Sequence, residues 1–153
     1  MEGPMSAIKM IAIGRKLANI YNELSMPICR KYGVNQTCFD VLMFCANNPE
    51  NNTARDICAV RGIKSGIASV AVETLICGGY MTRECDPHDR RIRRLVPTEK
   101  ASPLINEGRR MQQNFARTLR RGITAEELLT FESITAKLEE NMSAFDTGVT
   151  SDD

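Results

Sequence analysis

The sequence predicts a mainly α-helical chain with one small β-hairpin, and three observations predict it. The segment Tyr80 to Ala101, YMTRECDPHDRRIRRLVPTEKA, reads as a strand, an Asp-Pro turn among five arginines and a second strand, which together form a wing. Directly before it, a short helical stretch, the turn Arg61-Gly62 and a longer helical stretch ending at Gly78-Gly79 make a helix-turn-helix. Towards both ends, apolar residues recur in alternating steps of three and four, the stripe of a helix that pairs with another helix: Ile13, Leu17 and Ile20 near one end, Leu128, Phe131 and Leu138 near the other. The 153 residues are therefore expected to form a single domain, with a winged helix-turn-helix lobe over 35–97, dimerisation helices over 5–31 and 98–143, and a disordered tail over 144–153.

The elements follow in order. Residues 5–31 carry Met10, Ile13, Leu17, Ile20 and Leu24, and a second set, Ile8, Ile11, Ala18 and Tyr21, widens the apolar face beyond what one neighbour covers. Pro27 is expected to kink or interrupt this helix, because its ring denies the ladder a donor. Tyr32-Gly33 ends it. Thr37 with Asp40 resembles a capping box for the next helix, which carries Phe39, Leu42, Met43 and Ala46 and stops at the polar loop 47–52. Thr53 and Asp56 repeat the box and open a short helix with Ile57, Cys58 and Val60; Ile63 is an apolar plug, and Lys64-Ser65 cap a helix to Cys77. After the wing, Thr98 caps a polar helix with Ile105, Met111, Phe115 and Leu119 that ends at Gly122, and Thr124 with Glu127 caps the last.

Composition excludes several classes. At 42% hydrophobic and 25% charged, the chain has enough apolar material for a core. Its apolar runs are too short to span a membrane, and no leader precedes a signal core, so a cytoplasmic protein is expected. The net charge of +1 hides an asymmetry: residues 1–121 carry 19 basic and 11 acidic side chains, a net of +8, whereas residues 122–153 carry one basic and eight acidic, a net of −7. A basic body bearing the wing can keep a local positive field for phosphates, although both faces are also what ordinary solvated surfaces look like. Six cysteines without a Cys-x-x-Cys pair read as reduced core residues. Cys85 and His88 are spaced like metal ligands, but with a single histidine in the chain no metal site is expected, and no cofactor. No nucleophile elbow, phosphate loop or Ser/His/Asp set is present, so catalysis is not expected.

The candidate interface combines the wing with the helix before it. Asp89 is expected to pair with Arg91 across the loop base as a structural pair, so that Arg90 or His88 projects into a minor groove, while Arg91, Arg93 and Arg94 add contacts. Lys64, Ser65, Gly66, Ser69 and Val70 lie near the start of the second helix of the pair, where helix-end amides and hydroxyls hold phosphate and small side chains permit close approach. Ser65 as a helix cap and Gly66 as a close-packing residue fit the same positions. Arg, Asn and Gln are absent from Ser65 to Cys77, so readout is expected to lean on water, thymine methyl groups and DNA shape.

These residues resemble the multiple antibiotic resistance regulator (MarR) family of bacterial transcription factors. Its wing has the form Asp-x-Arg-Asp-x-Arg followed by Val-x-Leu-Thr-x-x-Gly, and Asp86, Asp89, Arg91, Leu95, Thr98 and Ala101 fall on that frame; Asp56 to Gly62, Ser69, Leu75 and Gly79 match the helix-turn-helix spacing. His88 stands in place of an Arg, Pro97 in place of an apolar residue, Ala101 in place of the Gly, and Val70 and Thr74 at positions commonly basic. The resemblance implies a sequence-specific DNA-binding regulator of transcription: a homodimeric repressor on a palindromic double-stranded operator, relieved by a small, aromatic effector or by oxidation. It places the effector at the junction of dimer helices and lobe, where Tyr21, Phe39 and Met43 could line a pocket or equally serve as core, and an oxidised cysteine at Cys29 or Cys38, which equally read as buried spacers. The alternative is a winged-helix module for protein association, its DNA surface degraded by Val70 and Thr74.

Overall fold

The computed structural model describes residues 6–145. The chain divides into two compact units, Met1–Phe115 and Ala116–Asp153. The expected tail falls almost wholly on residues 146–153, outside the described residues.

In the first unit, α1 (Ala7–Tyr32) is capped by the Ser6 hydroxyl and runs as one helix through Pro27, which does not interrupt it. Its C-terminal part is tied into the fold: Ser25, fully buried, donates to Gln36 Oε1 at 2.7 Å, and Ile28 and Cys29 join the core. Residues 6–19, by contrast, are exposed throughout. Helix α2 (Gln36–Asn47) is capped two residues before the expected Thr37: Asn35 takes the cap position and accepts from the Cys38 amide at 2.8 Å. Asp40 is used elsewhere, accepting from Gln36 and pairing with Arg61 at 3.1 Å. Every residue of α2 from Val41 to Cys45 is buried, which makes it the centre of the core.

Helix α3 (Ala54–Arg61) has the Thr53/Asp56 capping box with both reciprocal bonds, and Gly62, at φ 62°, makes the turn into α4 (Ser65–Cys77). Ala68, Ala71, Val72 and Leu75 of α4 face the core, and the two alanines let the helix lie close against its neighbours. Gly79, at φ 74°, closes α4, with Tyr80 N donating to Leu75 O and Gly79 N to Ile76 O, both at 2.9 Å. The chain then enters the hairpin of β1 (Met81–Cys85) and β2 (Arg93–Pro97), antiparallel with Met81 opposite Pro97 and Cys85 opposite Arg93. Met81 and Leu95 anchor it in the core.

Thr98 does not cap the following helix as expected. Its hydroxyl donates back to Gly79 O at 2.6 Å, a 3-10 turn (Glu99–Ala101) intervenes, and α5 (Ser102–Leu119) begins there. Ala101 is fully buried, which favours a small residue. Helix α5 lies against α2 at Gly108, where a Cβ would come within 2.5 Å of Met43 Sδ. Lys31 and Tyr32 at the end of α1 both donate to Glu107 Oε1.

The second unit holds the end of α5, a turn with Gly122, and α6 (Ala125–Ser143), opened by the expected Thr124/Glu127 box. Leu128 and Leu138 are half-buried, while Leu129, Phe131, Ile134 and Met142 are exposed.

Candidate nucleic-acid interface

The wing loop is built on the carboxylate of Asp86, which the sequence places on the wing frame without the latching role it has in the structure. Asp86, 6% exposed, accepts from the amides of His88 at 2.8 Å and Asp89 at 3.1 Å and pairs with the Arg94 guanidinium at 2.8 Å. Those bonds, the His88 amide foremost and Arg94 next, hold its carboxyl at about 2. Arg94 also donates to Glu50 O and, at 3.5 Å, to Asn52 Oδ1. Asn52, itself buried, exchanges bonds with the backbone of Leu95, giving to its carbonyl at 3.0 Å and accepting from its amide at 2.9 Å. The wing base is thereby tied to the loop between α2 and α3. Arg94 is an inward, structural residue and not the phosphate contact expected of it.

The loop closes with Asp86 N on Ile92 O at 3.0 Å and a turn from Asp89 O to Ile92 N at 2.9 Å, which places Arg90 and Arg91 together at the tip. Asp89 does pair with Arg91, at 3.3 Å, and also accepts from the Arg91 amide at 2.9 Å, but this pair sits at the tip and not across the loop base. The Arg91 side chain is 92% exposed. His88, Arg90 and Arg93 are exposed as well. Arg93 rests on the sulfur of Cys85, the strand residue opposite it.

On α4, Lys64, Ser65, Gly66, Ser69 and Val70 are all exposed on the side away from the core. Lys64 occupies the cap position, yet no side chain caps the helix, and Ser65 is the first helical residue instead of a cap. The amides of the first turn therefore have no side-chain acceptor. Gly66 is not a packing residue either: a Cβ there would meet nothing within 4 Å. Glu73 on the next turns is paired with Arg83 of β1, which joins the outer face of α4 to the wing. The Thr74 hydroxyl donates to Val70 O at 2.8 Å.

The remaining candidates lie elsewhere. Phe39 and Met43 are fully buried and Tyr21 half-buried; Tyr21 stacks edge-on to Phe115 with centroids 5.9 Å apart and accepts from Gln112 at 2.8 Å. The three are packed together in the core. Cys29, Cys38 and Cys45 are buried, and burial pushes all three thiols up, Cys45 to about 12. Cys77 and Cys85, expected in the core, are exposed. Among the described residues no group of three or more metal-ligating side chains comes together. Of the stripe residues, Ile13, Leu17 and Phe131 are exposed at 46%, 37% and 63%, and Ile20 is half-buried. No helix among the described residues is long and apolar enough to cross a membrane.

Residues 32–92, from the end of α1 through the helix-turn-helix and the wing loop, match the profile of the MarR family. Over this segment, about two fifths of its length, the chain is similar to the MarR family. Solved structures extend the likeness of fold beyond that segment. A MarR transcriptional regulator from Methanosarcina mazei superimposes with a TM-score of 0.71 at 18% identity, covering 94% of this chain and 96% of the other. The transcription regulator MarR from Oenococcus oeni gives 0.66 at 23% identity, covering 84% and 98%. A MarR protein from Peptoclostridium difficile gives 0.71 at 18% identity, covering 93% and 91%. The MarR fold thus accounts for the α-helices on either side of the hairpin as well as for the hairpin itself.

Proposed function

We propose that the chain is a cytoplasmic, homodimeric regulator of transcription that binds a palindromic double-stranded DNA operator, with α4 in the major groove and the wing at the adjacent minor groove. The observation that carries this reading is the Asp86–Arg94 latch. It fixes a loop whose outward residues are His88, Arg90 and Arg91, beside a helix whose first amides lack a side-chain cap. A rigid loop presents its cations without the entropic cost of ordering them, and a minor groove concentrates negative potential around an inserted cation. The similarity to the transcriptional regulators from Methanosarcina mazei and Oenococcus oeni supports the same reading.

Dimerisation is supported by α1. Its N-terminal stretch exposes Ile8, Met10, Ile11, Ile13 and Leu17, and each such side chain gains about 1.5–3 kcal/mol on full burial. A second copy, with Phe131 and its neighbours on α6 as a further contact, is the proposed cover. Repression follows if the dimer occludes a promoter, and relief by a small ligand requires a molecule that prefers one spacing of the two lobes. Oxidation at Cys29 or Cys38 loses support, because buried thiols with raised pKa are poor nucleophiles.

Titrating the full chain with mixed-sequence duplex DNA across a salt series tests the reading. Binding that weakens steeply with salt is expected; absence of binding at low salt would leave the protein-association alternative in its place.

A further inference from the structure

We infer that the outer face of α4 reads thymine by its C5-methyl group, with Ile67, Val70 and the methyl of Thr74 as the reading surface; the inference rests on the DNA-binding reading above. In the amino-acid sequence this face looks mixed, with two serines, a glutamate and a threonine among its apolar residues. The structure changes that. The Thr74 hydroxyl gives its proton to Val70 O at 2.8 Å, leaving the γ-methyl as the group without a bonding role. Glu73, the carboxylate on this face, is held by Arg83, so its capacity to accept from a cytosine amino group is already engaged. Ile67 and Val70 stand 52% and 67% exposed.

Val70 borders two shallow depressions. One, of about 370 Å³, is lined by Gly66, Ile67 and Val70 with Thr37 of α2 and its cap Asn35; the other, of about 490 Å³, by Ser69, Val70, Glu73, Thr74 and Cys77. The occupant is set by the surroundings of this strip. Lys64 and uncapped helix amides lie at one end, and Arg83 of β1 reaches Glu73 at its side, so the strip is apolar with cations at its border. A duplex offers the complement: methyl groups on the floor of a major groove walled by phosphates. An apolar patch on another protein lacks the anionic walls.

The test uses the full chain and a duplex selected by it from a randomised pool. Each thymine is replaced singly by deoxyuridine, which keeps the base pair and removes only the methyl. At roughly one to three thymines per half-site the affinity is expected to fall about fourfold per methyl, while the other thymines are silent. Val70→Ala is expected to weaken binding to the thymine duplex yet to bind the matching deoxyuridine duplex as the parent protein does. Because Val70 is exposed, that variant retains the fold. Tight, selective binding with every deoxyuridine silent would overturn the inference and leave the DNA-binding function standing; failure to bind any duplex at low salt would overturn both.

Discussion

Gly66 stands in the first turn of α4, where a Cβ would find open space. A glycine within a helix costs about 0.5–1 kcal/mol relative to alanine, and among the described residues no close packing at Gly66 offsets that cost. Gly66→Ala is therefore expected to raise the thermal stability by about that amount and, if a DNA backbone approaches here, to weaken duplex binding; a variant that gains stability and loses nothing in affinity would remove Gly66 from the interface. Asp86 makes a second prediction. Its folded-state pKa, at about 2, lies below its ordinary value of 3.8, so its contribution to stability is complete above the unfolded value and is lost as pH falls from about 4 through about 2. The carboxyl resonance of Asp86 should titrate near that lower value and move up towards the ordinary range in Arg94→Ala. A midpoint already near 4 in the parent chain would mean that the latch is not formed in solution.

Among the elements, helices with a reciprocal capping box were legible from the residues alone: Thr53/Asp56 opens α3 and Thr124/Glu127 opens α6. A box is a local code, complete within four residues. Thr37/Asp40 has the same spacing but not the role, because Asn35 caps the helix two residues earlier and Asp40 is drawn off by Gln36 and Arg61. Thr98 failed for a similar reason, its hydroxyl taken by Gly79 across the start of the hairpin. Pro27 does not break α1, whose C-terminal part is held on both sides of it by Ser25, Ile28 and Cys29 in the core. In the wing, residue type announced a cationic loop, but which arginine turns inward depends on Asp86, eight positions before Arg94, and on Asn52, in another loop. Distances of that kind leave no periodic trace. The wing carries a prediction of its own: Arg90→Ala should lower the slope of log affinity against log salt by about 0.9, the contribution of one released counterion, and an unchanged slope would show that Arg90 touches no phosphate. For the packing of α5 on α2, Gly108→Ala should destabilise by about 1–3 kcal/mol, since Met43 occupies the space the new methyl needs. Denaturant unfolding measures it.

At the scale of the whole molecule, residues 6–19 at the start of α1 are exposed among the described residues. A helix of 26 residues reaches about 39 Å, and an uncovered half of it would fray in water. Ile13→Glu combined with Leu17→Glu is expected to convert a sedimenting dimer to a monomer and to weaken operator binding by roughly tenfold or more, as two linked half-sites become independent. A parent chain that sediments as a monomer at micromolar concentration would refute the dimer. The helices that supply this surface were legible by their stripes, but the fully exposed stretch was not, because periodicity reports an apolar face without reporting whether the same chain covers it.

Thr74 has one more consequence. By spending its hydroxyl on the carbonyl of Val70, it adds a methyl to the apolar strip of Ile67 and Val70 on α4, and on the thymine-reading proposal such a strip responds to a methyl group whatever base bears it. Cytosine methylated at C5 carries its methyl where thymine does. On the DNA-binding proposal, a bound duplex would then be read by its methylation state, and occupancy would change on marking cytosines with no change in the sequence of bases.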